Sequence, residues 1–157
     1  MTTEGPPPGA VAAEQMGLPH RVIQHGSVRS LAEAAVARGV PPADVVKTMV
    51  VRRGEGDFVF VLVPGDRVIS WPKLRALLGV NRLSMPDADE ALAVTGYPRG
   101  TITPFGAESA LPVIADERLT GRAITLGTGV NNTALAVDAD QALTALTAQV
   151  ADVTDPE

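Results

Sequence analysis

Lysine is rare in this chain: Lys47 and Lys73 stand against eleven arginines. Lys47 lies in Val45-Val46-Lys47-Thr48-Met49-Val50-Val51, with apolar neighbours on its own face of a strand pattern. An amine there can hold a phosphate or another anion, and if it turns inward it needs a partner or a shifted pKa. The competing reading is an edge-strand lysine that points to water and discourages aggregation. The pattern alone leaves both open. A second candidate is the run Gly96-Tyr97-Pro98-Arg99-Gly100-Thr101-Ile102-Thr103-Pro104-Phe105-Gly106. Its glycines and prolines predict a rigid, irregular loop whose backbone comes close to something. It carries almost no side chain suited to acid–base work, so its expected use is as a backbone wall of a small-molecule pocket facing Lys47. A third is Gly127-Thr128-Gly129. No Gly-Lys-Ser/Thr follows it and no helix follows the strand before it, so it reads as a tight hairpin connection and not as a phosphate loop.

Other chemistries find no residues. The chain has no cysteine, which excludes disulfides, thiolate metal sites and a cysteine nucleophile. His20 and His25 would face opposite sides of one short strand, with no carboxylate cluster nearby, so no metal site is expected. No serine stands in a Gly-x-Ser-x-Gly elbow. No cofactor is implied. A net charge of −5 argues against a protein that coats nucleic acid, and no DNA partner is expected. The charge is uneven: from Lys47 to Arg82, seven basic residues face three acids. That stretch is either a solvated face or a local anion-binding patch.

The elements that would position these residues follow from periodicity and caps. Length and composition, 157 residues with 45% hydrophobic and 20% charged, suit one globular domain. Residues 1–17, with Pro6-Pro7-Pro8-Gly9, read as a flexible arm, residues 18–148 as the domain, and residues 149–157 as an acidic tail. Ser30 with Glu33, Asp87 with Glu90 and Asp138 with Gln141 are N-terminal helix signals, and Ser70 starts a further helix. Gly39, Gly79 and Gly96 end three of the four. Strands are expected at 45–52, 58–63, 111–115, 123–126 and 133–137, with a shorter one near 21–24 and a short strand or extended link at 82–85. The hairpin-like spacing at 45–63 and 123–137 favours a mixed or antiparallel sheet. The predicted architecture is α/β, with six or seven short strands and four helices. No apolar run reaches membrane-spanning length, and the N-terminus is no signal peptide, so a cytoplasmic monomer is expected.

Taken in order, Leu31-Ala32-Glu33-Ala34-Ala35, Val45 to Val51, Leu62-Val63-Pro64-Gly65-Asp66-Arg67, Thr95-Gly96-Tyr97 with Gly100-x-x-x-Pro104-Phe105-Gly106, and Pro112-Val113-Ile114-Ala115-Asp116 resemble the YbaK/EbsC family. These are relatives of the prolyl-tRNA synthetase editing domain. The resemblance covers residues 18–148. It implies a curved, barrel-like mixed sheet with helices outside, and hydrolysis of the ester that joins a wrong amino acid to the tRNA 3′ end. It implies Lys47 and Gly100 as the catalytic pair, with Thr48, Thr101, Pro104, Gly127, Thr128 and Gly129 binding substrate. The implied partners are the 3′ acceptor end of aminoacyl-tRNA and a synthetase such as prolyl-tRNA synthetase. The implied esters are those of cysteine or alanine on tRNA for proline. Some relatives carry a pocket histidine near the last glycine-rich turn; this chain has none there. A non-catalytic module that binds tRNA or a synthetase through the same fold is the alternative.

Overall fold

The computed structural model describes residues 5–157. Its strands form two main sheets that meet along one seam. One sheet has the order β1 (Arg21–Gln24), β7 (Thr133–Asp138), β6 (Ala123–Leu126), all antiparallel. The other has the order β2 (Val46–Gly54), β3 (Asp57–Pro64), β5 (Val113–Asp116), β8 (Gln149–Ala151). In it β2 and β3 pair as the expected antiparallel hairpin, while β5 and β8 add in parallel. A single parallel bridge, Val45 to Thr125, joins the edge of β2 to the edge of β6. Both sheets then enclose one core: Val46, Phe60 and Leu62 from one meet Leu126, Leu135 and Val137 from the other.

β3 is buried on both faces, which is why its sequence, Phe58-Val59-Phe60-Val61-Leu62-Val63, shows no alternation. Phe58, Phe60 and Leu62 join the core between the sheets. Val59, Val61 and Val63 join a second cluster with Leu74 of helix α3 (Trp71–Leu78) and with Val153. Each such side chain contributes about 1.5–3 kcal/mol on full burial. The alternation expected along β2 is present: Val46 and Val50 face the first core, and Met49 and Val51 the second. Lys47 belongs to the second set by register, opposite Val63.

The expected caps form. Ser30 Oγ accepts from Glu33 N at the start of α2 (Leu31–Arg38), and Asp87 Oδ1 accepts from Glu90 N at the start of α4 (Ala88–Thr95). Asp138 does the same for α5 (Ala139–Ala145) through Gln141 N. The class is mixed α/β as expected, with nine strands and five α-helices among the described residues where the sequence suggested six or seven and four. The stretch at 82–85, expected as a short strand or extended link, is an extended link with one bridge between Arg52 and Ser84.

The extra elements lie at the two ends. Within the expected flexible arm, Pro8–Gln15 forms helix α1, and its Ala10, Ala12 and Ala13 are buried in the core. Alanines carry a weak pattern, so their spacing gave little signal, yet they allow close approach. Gly9 N donates to Thr128 O at 2.8 Å. The expectation for residues 1–4 lies outside the described residues. In the expected acidic tail, β8 pairs with β5, and β9 (Thr154–Pro156) pairs with β4 (Arg67–Ile69). The anchor is Asp116, whose side chain is fully buried. It accepts hydrogen bonds from Val153 N and Thr154 Oγ1, and its ion-pair partner Arg118 also binds Asp152. Lys73 holds Asp152 and Asp155. The tail's acids are therefore ligands for specific cations, which composition cannot show. Asp116→Ala should cost about 3 kcal/mol, because buried partners lose their acceptor. Chemical denaturation measures the loss, and hydrogen exchange should show amides 149–156 deprotected; a variant as stable as the parent contradicts this anchoring.

Candidate functional site

The edge of β2 that does not pair with β3 borders a cavity of about 590 Å³. Residues 45–50 form one wall, and Leu31, Ala34 and Arg38 of α2 form another. Gly100 and Ile102 close a third side, with Gly127 behind and Met85 and Ala91 beyond. Lys47 and Gly100, far apart in sequence, thus open into one space, as expected.

The loop from 96 to 106 is held by its own hydrogen bonds. Gly96 ends α4 with φ 79°. Tyr97 is buried and its hydroxyl donates to Phe105 O at 2.8 Å, cross-tying the loop. Burial pushes the Tyr97 phenol above its ordinary pKa, so it stays a donor. Thr101 turns back on Pro98 through both its N–H (3.0 Å) and its hydroxyl (2.7 Å). Gly100 stands at the exposed tip with φ 93°, a conformation suited to glycine. Among the described residues, the N–H groups of Gly100 and Ile102 have no hydrogen-bond acceptor, which leaves them free to face a ligand.

The glycine-rich turn at 127–129 packs onto this loop. A Cβ on Gly127 would lie 2.8 Å from Ile102 O and 3.0 Å from Thr101 O. A Cβ on Gly129 would lie 2.5 Å from the Tyr97 ring. Gly129 N donates to Thr101 O at 2.9 Å. The turn is the hairpin connection between β6 and β7 that the sequence suggested, and it is also the support of the Gly100 loop. The expected binding residues therefore divide. Lys47, Thr48, Gly100 and Gly127 line the cavity. Thr101, Pro104 and Thr128 are buried behind its wall, and Gly129 packs against Tyr97, so these four shape the site without lining it.

The Lys47 ammonium does not stand free. It donates to Arg67 O on β4 and sits 3.9 Å from a carboxylate oxygen of Glu157. One of its three donors is engaged, and the exposed Glu157 adds little. The basic stretch from 47 to 82 is not a patch facing the cavity. Arg52 pairs with Glu90, Arg53 with Asp57, and Lys73 with the C-terminal acids. Among the described residues, the cations that line the cavity with Lys47 are Arg29, Arg38 and Arg99, and no acidic residue lines it. Sequence reasoning missed all three arginines; the one available signal was that Ala34 and Arg38 share a helix face at a spacing of four. His20 and His25 bond locally to Leu18 O and Gly26 O and lie outside the cavity. Among the described residues no group of His, Cys, Asp and Glu could hold a metal ion, and no helix is long and apolar enough to cross a membrane.

The family model described as "Aminoacyl-tRNA editing domain" matches residues 25–145. The proline–tRNA ligase of Trichlorobacter lovleyi is 40% identical over 88 residues, 56% of this chain and 15% of the ligase. That of Acidithiobacillus ferrooxidans is 33% identical over 121 residues, 77% of this chain and 21% of the ligase. The chain thus spans about a fifth or less of the ligases it matches. The crystal structure of "a putative trans-editing enzyme for prolyl tRNA synthetase" superposes with a TM-score of 0.87 at 26% identity, covering 97% of this chain and 99% of that one. The hypothetical protein APE2540 superposes with a TM-score of 0.85 at 28% identity, covering 93% and 98%.

The two glycine roles can be separated. Gly129→Ala should cost more than about 2 kcal/mol, since it combines overpacking against Tyr97 with a positive φ. Gly100→Ala meets no atom within 4 Å and should cost only the conformational penalty of about 1–2 kcal/mol. Urea unfolding of both variants checks the order; equal losses would refute the supporting role given to the 127–129 turn.

Proposed function

The chain belongs to the aminoacyl-tRNA editing domain family, and we propose that it is a trans-acting deacylase that hydrolyses the ester of mischarged tRNA. The observation that carries this reading is the meeting of Lys47, Gly100 and Gly127 in one cavity that, among the described residues, is lined by cations and no acids. Such a cavity suits the 3′ end of tRNA, a short single-stranded anion that carries an ester. Binding through a few cations should be salt-sensitive.

An aminoacyl ester needs little activation, so positioning and oxyanion stabilisation can suffice. Water attacks the ester carbonyl, and the free N–H groups of Gly100 and Ile102 receive the developing oxyanion. The carbonyl–ribose oxygen bond then breaks, the ribose oxygen takes a proton, and the free amino acid leaves. The neighbouring ribose hydroxyl can orient the water, which makes the reaction substrate-assisted. Lys47 holds the terminal phosphate or ribose with the donors not used by Arg67 O, acting as a positive point charge and not as a base. Small side chains suit the space left beside the terminal nucleoside. Alanine and cysteine on tRNA for proline are the first esters to assay, with prolyl-tRNA synthetase as the candidate partner.

Deacylation of a panel of mischarged tRNAs tests the reading. At least one ester should be cleaved faster than its spontaneous hydrolysis, and Lys47→Ala should slow that reaction about tenfold or more, the worth of one charge-assisted hydrogen bond. No acceleration for any ester would leave the binding module as the function. Full activity in Lys47→Ala would remove the lysine from the mechanism.

A further inference from the structure

The cavity contains a cation that the proposed ester chemistry leaves unused and whose side chain, among the described residues, the fold engages through one threonine hydroxyl. Arg38 closes the last turn of α2 and lines the cavity together with Leu31 and Ala34 of the same helix. Its Nη1 donates to Thr125 Oγ1 at 3.2 Å, across to β6 at the seam where Val45 bridges Thr125. Its Nε is buried and has no acceptor. Among the described residues no carboxylate lies within ion-pair distance of its guanidinium. Thr48 Oγ1, in the facing wall, is also buried without a partner.

A basic residue in the last turn of a helix is favoured by the macrodipole, but that preference is met by a side chain in water. Here the guanidinium is drawn inward and desolvated, which lowers the Arg38 pKa with no carboxylate to offset it. A guanidinium remains protonated in proteins, so the charge stays. A partly desolvated cation and an unpaired hydroxyl lining the same cavity leave polar valences that a ligand can complete. Arg29 and Arg99, by contrast, are exposed at the cavity's edge, where a phosphate can reach them from solvent.

We propose that Arg38, with Thr48, reads the side chain of the esterified amino acid and selects a small residue ending in an oxygen acceptor, such as serine or aspartate, over alanine and cysteine. This rests on the deacylase reading and refines its substrate class. The exposed arginines serve the tRNA backbone, and Arg38 serves the amino acid. An apolar pocket separates such small side chains poorly, whereas a site built to hydrogen-bond an oxygen rejects the analogue that lacks it. Arg38 is thus a specificity-determining group that does not touch the reacting carbonyl.

The test charges one tRNA with serine, aspartate, alanine or cysteine and measures single-turnover hydrolysis by the wild type, Arg38→Leu and Arg38→Lys. The wild type should cleave the seryl or aspartyl ester at least about tenfold faster than the alanyl ester, after correction for spontaneous rates. Arg38→Leu should erase that ratio by lowering the seryl or aspartyl rate more than the alanyl rate, and Arg38→Lys should restore part of it. Leucine replaces a half-buried guanidinium that has no carboxylate partner, at the loss of one hydrogen bond to Thr125, so the variant should fold; its thermal midpoint confirms that. Equal or greater wild-type activity on the alanyl or cysteinyl ester overturns the inference. So does a uniform fall across all esters in Arg38→Leu, which would place the guanidinium on a tRNA phosphate. A parallel arm titrates amide-linked, uncleavable seryl, aspartyl and alanyl adenosine. Tighter binding of the seryl or aspartyl analogue that depends on Arg38 supports the inference even if no ester is hydrolysed, which separates its failure from that of the deacylase reading.

Discussion

The close approach of two loop backbones is the constraint on which the site depends. Gly127 lies against the carbonyls of Thr101 and Ile102 with no room for a side chain. Gly129 fits against Tyr97 in the same way, and Tyr97 in turn ties down Phe105. This contact holds the Gly100 tip over the open edge of β2. It also fixes the end of β6 at the seam with Val45, where the two sheets become one wall. With a side chain at either glycine, the loop and the strand edge would separate, and the cavity between them would lose its shape.

Charge is distributed around this frame in two ways. Several cations outside the cavity are neutralised structurally: Arg52, Arg53, Lys73, Arg118 and Arg122 each hold a carboxylate. Exposed pairs of that kind add little stability individually. The network that centres on buried Asp116 differs, because it fastens the last strands to the sheet. Among the described residues no acid lines the cavity, and of its cations only Lys47 lies near a carboxylate, that of the exposed Glu157, so an acidic chain keeps a small positive site. A net charge of −5 is then compatible with binding a short polyanionic end, while it disfavours binding along a nucleic acid.

Much of this was legible in the sequence where local physics decides. Ser30, Asp87 and Asp138 cap the helices they were expected to cap, and Gly96 terminates α4 in the left-handed conformation. The strands at 46–54 and 57–64 follow from β-branched runs about a short turn. Lys47, Thr48, Gly100 and Gly127 line one cavity. The misses have physical causes. The α1 alanines and the short β8 and β9 have too little periodicity to stand out, and only the tertiary partners Thr128, β5 and β4 give them order. Thr101, Pro104, Thr128 and Gly129 share a motif with the lining residues but point into the frame. The arginines of the cavity come from three separate segments, and no linear charge count could assemble Arg29, Arg38 and Arg99.

Whether this cavity receives the aminoacyl end of tRNA is the central claim. The most direct measurement is an amide NMR titration with an uncleavable 3′-aminoacylamino-adenosine. The account predicts shifts confined to residues 29–38, 45–50, 100–102 and 127, weakening as salt rises. Shifts concentrated instead beside Met16–Pro19 and Asp140–Ala145, where a separate shallow pocket lies, would contradict it, as would none at saturating ligand.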